Sequence, residues 1–225
     1  MTGAMKYFYD LMSPPSRALY ILFTLEKIPF ESNSVALRKG EHLTEDYKKN
    51  VNKFQKVPVI HDNGFVLTES VAILRYLSGK GLVSSQWYPT DIIQRARVDE
   101  YLEWQHNTLA LGSGLYFMLK WVTPLMTGKD ADPKRVAEAK RILEGALDLL
   151  ETTWLADSKF VSGDRPTVAD LFASSSIEQS KVAGFKPTEG RKKVENWMQE
   201  VRKAANPIYD EAHKFAYKNA ALARL

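Results

Sequence analysis

Three short stretches hold residue types suited to binding or activating an anion. In Tyr9-Asp10-Leu11-Met12-Ser13-Pro14-Pro15-Ser16-Arg17-Ala18, Ser13 stands where a β-prone run gives way to a helical pattern. A helix N-terminus presents unpaired N–H groups and a partial positive charge. A hydroxyl there can donate to an anion, and a thiolate at this spot gains from both effects. The same position is a preferred N-cap, and from position alone capping is the first reading of Ser13. Ser16, inside the first turn, is the second candidate. In Thr68-Glu69-Ser70-Val71-Ala72-Ile73, an acid and a hydroxyl open a helix. Ser70 and the backbone N–H groups there suit a carboxylate, and Glu69 suits an ammonium. The plain alternative is a helix start with an acidic first turn. Lys53-Phe54-Gln55-Lys56-Val57-Pro58 brings a proline to the head of a strand, a place that tolerates one. His42, in Lys39-Gly40-Glu41-His42-Leu43, reads by itself as an exposed loop histidine.

Composition narrows the chemistry. The 225 residues contain no cysteine, so disulfides, zinc–thiolate sites and a cysteine nucleophile are excluded. Hydrophobic residues are 44% and charged residues 26%, ordinary for a globular chain. The formal charge of +4 is spread thinly and gives no nucleic-acid footprint. The apolar run from Ala18 to Leu25 is too short for a membrane span and lacks the flanks of a signal peptide. The expectation is a cytoplasmic protein with no membrane or nucleic-acid partner.

The elements that must position these residues follow from periodicity. Lys6 to Tyr9 is β-prone. Leu19, Leu22, Phe23 and Leu25 share a helix face, with Pro14 or Pro15 in the first turn. Phe30 to Ala36 is a second extended run, followed by a polar loop over 37–43 and a short helix near 44–49. Val57 to Ile60 and Phe65 to Leu67 flank Asp62-Asn63-Gly64, a tight-turn signal. A helix then runs from Val71 to Leu77. The order βαβαββα predicts a compact α/β domain over 5–80. A linker over 81–91 precedes a region, 92–225, with only helical patterns. These are Ile92 to Val122, bent near Gly112 and Gly114, then Lys134 to Leu155, Thr167 to Lys181, Arg191 to Lys203 and Pro207 to Tyr217. Thr167 and Asp170 have the spacing of a capping box, with Val161 as its staple. Their work is folding, so they stand outside the candidate site.

The Tyr9–Ala18 string, the Thr68–Ile73 string and Arg95-Ala96-Arg97-Val98-Asp99-Glu100-Tyr101-Leu102-Glu103-Trp104 resemble the matching segments of cytosolic glutathione S-transferases of the theta class. The resemblance runs from about Tyr7 to Phe215 and implies a thioredoxin-like N-terminal domain followed by an all-helical one. It also implies that Ser13 hydrogen-bonds the glutathione sulfur. Pro58 is then a cis proline whose bend lets the backbone of Val57 pair with the peptide like an added strand. Lys56 neutralises a carboxylate, Glu69 and Ser70 hold the γ-glutamyl end, and His42 reaches the glycine carboxylate. Leu11 and Met12, with Tyr116 and Leu119 from the helical domain, are expected at the electrophile pocket, although plain core is the first reading for most of the Leu115–Trp121 residues.

Glutathione is thus expected as co-substrate, with no other cofactor and no metal, and a hydrophobic electrophile and a second copy of the chain as partners. The expected activity is conjugation of the glutathione thiolate to electrophiles. A non-catalytic carrier on the same fold is the rival, and peroxidase or dehalogenase activity from the same thiolate is a third option. Vertebrate theta enzymes extend further at the C-terminus. Since this sequence ends at Leu225, as in shorter insect-like relatives, a more open electrophile site is expected.

Overall fold

A computed structural model describes residues 4–222 and divides into two compact units, Met1–Ser84 and Ser85–Leu225. The last three residues of the expected helical region lie outside the described residues.

The first unit contains β1 (Met5–Tyr9), α1 (Pro14–Leu25), β2 (Phe30–Ser34), α2 (Glu45–Asn50), β3 (Val59–Asp62), β4 (Phe65–Thr68) and α3 (Ser70–Gly79). The sheet order is β2-β1-β3-β4. β2 runs parallel to β1, while β3 and β4 are antiparallel to their neighbours, giving the thioredoxin-like arrangement. Alternation explains β1: Met5, Tyr7 and Tyr9 are buried. The Tyr7 ring stacks on Tyr9 with centroids 4.7 Å apart and meets Phe23 of α1 edge-on at 4.9 Å. Asn63 (φ 50°) and Gly64 (φ 87°) turn β3 into β4, where two left-handed residues match the twist of a tight hairpin. The polar loop over 37–43 is more ordered than its sequence suggests, forming two single 3₁₀ turns.

The second unit is helical: α4 (Ile92–His106), α5 (Leu109–Phe117), α6 (Thr123–Thr127), α7 (Pro133–Leu149), α8 (Val168–Val182), α9 (Lys192–Ala205) and α10 (Ile208–Leu222). The run Ile92–Thr127 is long and apolar enough by composition to cross a membrane, yet Tyr101, Leu102, Leu109, Tyr116, Phe117 and Trp121 are packed inside this unit. Its break lies at Asn107 and Thr108, not at the glycines. Gly112 sits inside α5 for another reason: a Cβ there would lie 2.8 Å from Cα and 2.9 Å from N of Leu143 on α7. Backbone cannot move aside as a side-chain tip can. Gly112→Ala is therefore expected to lower unfolding stability by about 1–3 kcal/mol in a urea titration. Gly114→Ala, which meets only open space, should be neutral or stabilising by up to ~1 kcal/mol. The helical run also continues beyond Val122. A π-turn over Met118–Val122 widens the helix just ahead of Pro124, whose ring would crowd a regular turn.

α8 is the centre of this unit, with every residue from Val168 to Ser180 buried. Three of its serines return their hydroxyls to the helix: Ser174 to the Leu171 carbonyl at 3.3 Å, Ser176 to the Phe172 carbonyl at 3.1 Å and Ser180 to the Ile177 carbonyl at 2.7 Å. That self-satisfaction lets a serine-rich segment be the innermost helix. At its start, the Asp170 carboxylate accepts from the backbone N–H of Thr167 (2.8 Å) and Val161 (3.0 Å) and from the Trp197 indole N–H (2.8 Å).

Candidate functional site

The turn after β1 is held at almost every backbone group. Ser13 N–H donates to the Asp10 carbonyl at 2.9 Å, and Met12 N–H donates to the Asp10 carboxylate at 2.7 Å. The Arg17 guanidinium donates to the Leu11 carbonyl at 2.6 Å, and the Tyr7 hydroxyl to the Ser16 carbonyl at 2.8 Å. Ser13 occupies the N-cap of α1 (φ −87°, ψ 120°), but its side chain caps nothing. The reason is chemical. A capping hydroxyl accepts from the second or third helical N–H. Here Pro15 at the second helical position has no N–H to give, which leaves that of Ser16 at the third, and the Ser13 side chain does not bond it. Ser13 is half-buried on this fixed turn, while Ser16 is fully buried. The same prolines weaken the helix-end field at this spot, since only Ser16 supplies an early N–H.

The start of α3 is richer in donors. Glu69 is its N-cap residue, and its first backbone bond runs from Ile73 N–H to the Glu69 carbonyl at 2.9 Å. The N–H groups of Ser70, Val71 and Ala72 therefore have no partner within the helix. Ser70 is buried and Glu69 is exposed. Glu69 holds φ 65°, ψ 111°, a region that side chains rarely adopt. The far end of β3 is tied to α3 by Asp62, which accepts from the Tyr76 hydroxyl (2.8 Å) and the Lys80 ammonium (2.5 Å). Lys80 holds the Asp62 carboxyl below the usual range, although burial opposes it.

The Val57–Pro58 bond is cis and directly precedes β3. The loop before it is built on Asn52, which is buried. Its side chain accepts from Phe54 N–H at 3.0 Å and donates to the Lys56 carbonyl at 2.8 Å, where the Tyr47 hydroxyl also donates at 2.9 Å. Lys56 thus has a fixed backbone and an exposed side chain. His42 lies in the second 3₁₀ turn, partly buried, and its Nδ1 has no hydrogen-bond partner among the described residues. Burial lowers its pKa from the ordinary histidine value, against the opposing pull of Asp10 and Glu41.

The residues expected around the electrophile fall into different settings. Leu11 is half-buried and Met12 buried in the turn after β1. In the helical unit, Leu119 is half-buried, while Tyr116 packs edge-on against Phe185 at 5.3 Å in the interior. The apolar side chains open to solvent on this stretch are Leu111, Leu115 and Met118. Their i, i+4, i+7 spacing puts them on one face, a pattern legible in the sequence once Tyr116 is assigned inward.

Two family models cover most of the chain: the glutathione S-transferase N-terminal domain over residues 3–79 and the C-terminal domain over 116–204. Glutathione S-transferase theta-1 of Bos taurus is 40% identical over 215 residues, which is 95% of this chain and 89% of that protein. The chain belongs to the theta-class glutathione S-transferases. Solved theta-class structures agree. The apo form of human glutathione S-transferase T1-1 matches with a TM-score of 0.91 at 40% identity, covering 95% of this chain and 90% of that one. A human theta-class enzyme in complex with the glutathione conjugate of 1-menaphthyl sulfate matches with a TM-score of 0.92 at 33% identity, covering 99% and 91%. The protein is accordingly a glutathione transferase that uses glutathione as co-substrate. Within its thioredoxin-like unit, Asp10, Tyr47 and Asn52 are the supporting residues that reading the sequence missed. Asp10 carried a signal, an acidic residue two positions before a backbone N–H it can accept, the Asx-turn pattern. Asn52 carried the same signal toward Phe54 N–H, while Tyr47 carried none.

Proposed function

We propose that the thioredoxin-like domain, over 5–80, binds glutathione and that the helical domain, from 92 onward, holds a hydrophobic electrophile. Glu69 accepts from the γ-glutamyl ammonium, and Ser70 with the three open N–H groups of α3 takes the neighbouring carboxylate. The cysteinyl backbone pairs with Val57 beside Pro58. Lys56 and His42 face the glycine carboxylate. The observation that carries the reading is the uncapped hydroxyl of Ser13, held on a fixed turn with no hydrogen-bond partner among the described residues.

Ser13 donates to the sulfur and keeps its own proton, and the thiol proton goes to solvent. The sulfur lone pair forms a C–S bond with the electrophile, and in substitution the leaving group departs with its electron pair. A free thiol with pKa about 8.5 is already roughly a tenth ionised near pH 7.5, so full ionisation gives about tenfold. The rest of the acceleration comes from aiming the sulfur.

Retention on immobilised glutathione, combined with turnover of alkyl halides, aryl halides and a hydroperoxide, tests this reading. Conjugation of the halides is expected. Retention without turnover of any of them would favour the carrier. We further propose a homodimer in the cytosol, consistent with the exposed apolar Phe54, Phe65 and Val66 of the first unit. Light scattering should give twice the chain mass.

The backbone of Glu69 yields a separate prediction. A non-glycine residue held there costs on the order of 1–3 kcal/mol. Glu69→Gly should raise unfolding stability by about 1 kcal/mol, after allowing for the looser unfolded chain of glycine. Calorimetry should show weaker glutathione binding at the same time. Glu69→Gln should weaken binding with no gain in stability, because it keeps the backbone strain.

A further inference from the structure

The Asp10 carboxylate is 5% exposed and lies between two segments of the first unit. One oxygen accepts Met12 N–H at 2.7 Å, next to Ser13. The other accepts Leu37 N–H at 3.0 Å, 27 residues along the chain. Leu37 opens the pair of 3₁₀ turns that contain His42. That pair is itself closed, since Ala36 N–H donates to the Glu41 carboxylate at 2.7 Å and Gly40 bends it in the left-handed region. On the other side of the Ser13 turn, the buried Arg17 guanidinium fixes Leu11. A buried carboxylate needs hydrogen-bond partners. Here the partners are two backbone N–H groups on separate segments, so the side chain is a clamp between them.

We propose that Asp10 is the positioning residue for Ser13, and that it couples the Ser13 turn to the Ala36–Leu43 segment carrying His42. The proposal rests on the reading of Ser13 as donor to the glutathione sulfur. Contact with the glycine end of glutathione then bears on where the Ser13 hydroxyl sits. Breaking the clamp frees the hydroxyl to drift, and an ångström of drift is enough for about a hundredfold in rate.

The thiol itself reports the effect. The ultraviolet absorbance of the bound thiolate is titrated with glutathione and with γ-glutamylcysteine, which lacks the glycine. In the wild type, the dipeptide thiol is expected to ionise at higher pH than that of glutathione. In Asp10→Ala the two ligands should titrate together, near the higher value, with about tenfold less thiolate at neutral pH than wild type. Asp10→Asn keeps one acceptor and should fall between. A purely structural role would lower the melting temperature and leave the difference between the ligands intact, which would overturn the proposal. If Asp10→Ala does not fold, Asp10→Asn decides: an unchanged difference between the ligands in that variant overturns the proposal as well. Ser13→Ala separates the two readings. An unmoved thiol titration in Ser13→Ala removes the Ser13 role and this inference together. A shifted titration there, with none in the Asp10 variants, removes this inference alone.

Discussion

Asp170→Ala is expected to lose about 4 kcal/mol of unfolding stability, a large share of the 5–15 kcal/mol typical of a folded domain. The carboxylate is fully buried and accepts from Thr167 N–H, Val161 N–H and the Trp197 indole. Alanine leaves all three donors buried and unpaired, each costing roughly 1–3 kcal/mol, less whatever relaxation recovers. The effect therefore far exceeds the ~1 kcal/mol of an ordinary cap. Trp197→Phe should cost much less on this account, because it removes a donor and leaves an acceptor that keeps its other partners. The pH dependence has a definite sign. Burial raises the Asp170 pKa, against the pull of its hydrogen bonds. The folded state thus holds the proton more tightly than the unfolded chain. Stability from this group is full below the unfolded pKa and falls as pH rises through the folded one. That is opposite to Asp62, whose lowered pKa gives stability that is lost in acid. The gap between wild type and Asp170→Ala should narrow as pH rises from the unfolded carboxyl pKa of about 3.9 through the raised folded one. Urea titrations at several pH values measure it, and a gap that widens over that range would contradict the assignment.

Ser13→Ala is expected to leave stability within about 0.5 kcal/mol of wild type and to cut turnover by roughly ten- to a hundredfold at neutral pH. The first half follows from the missing cap bond, since a hydroxyl that caps nothing is not missed by the helix. The second follows from a hydrogen bond to an anionic sulfur, worth about 1.5–3 kcal/mol, or one to two pKa units of the bound thiol. The variant's thiol then ionises near the free value of about 8.5. The deficit should be largest below neutrality and shrink as pH climbs past that value. Stopped-flow turnover across pH, read beside the melting curve, tests both halves. Full activity at low pH would refute the role, and a large drop in stability would mean that the hydroxyl is structural after all.

Much of this was legible beforehand. The β-prone aromatic run over Lys6–Tyr9 set β1, the Asn63-Gly64 pair set the hairpin, and the Thr167–Asp170 spacing set the box, because each depends on local sequence. The features that escaped depend on contacts between distant segments. Gly112 looked like a hinge because glycine bends helices, yet its use is a close approach to Leu143 on another helix. Tyr116 was expected at the pocket, with plain core as the first reading for most of its stretch, and the contact of its ring with Phe185 depends on a segment far along the chain. The burial of the serine-rich α8 was not read from the sequence at all, and it rests on bonds such as those of Ser176 and Ser180 to carbonyls of their own helix. Ser13 was the most ambiguous: its cap reading failed, with Pro15 removing one of the two N–H groups that a cap uses.

That missing cap bond has an engineering consequence. Position 13 is exchangeable, a socket whose occupant can be chosen for chemistry without retuning the fold around it. The sequence contains no cysteine. Ser13→Cys would therefore install one addressable thiol at the mouth of α1, where a fluorophore, a spin label or a tethered ligand can be attached with no competing site on the protein.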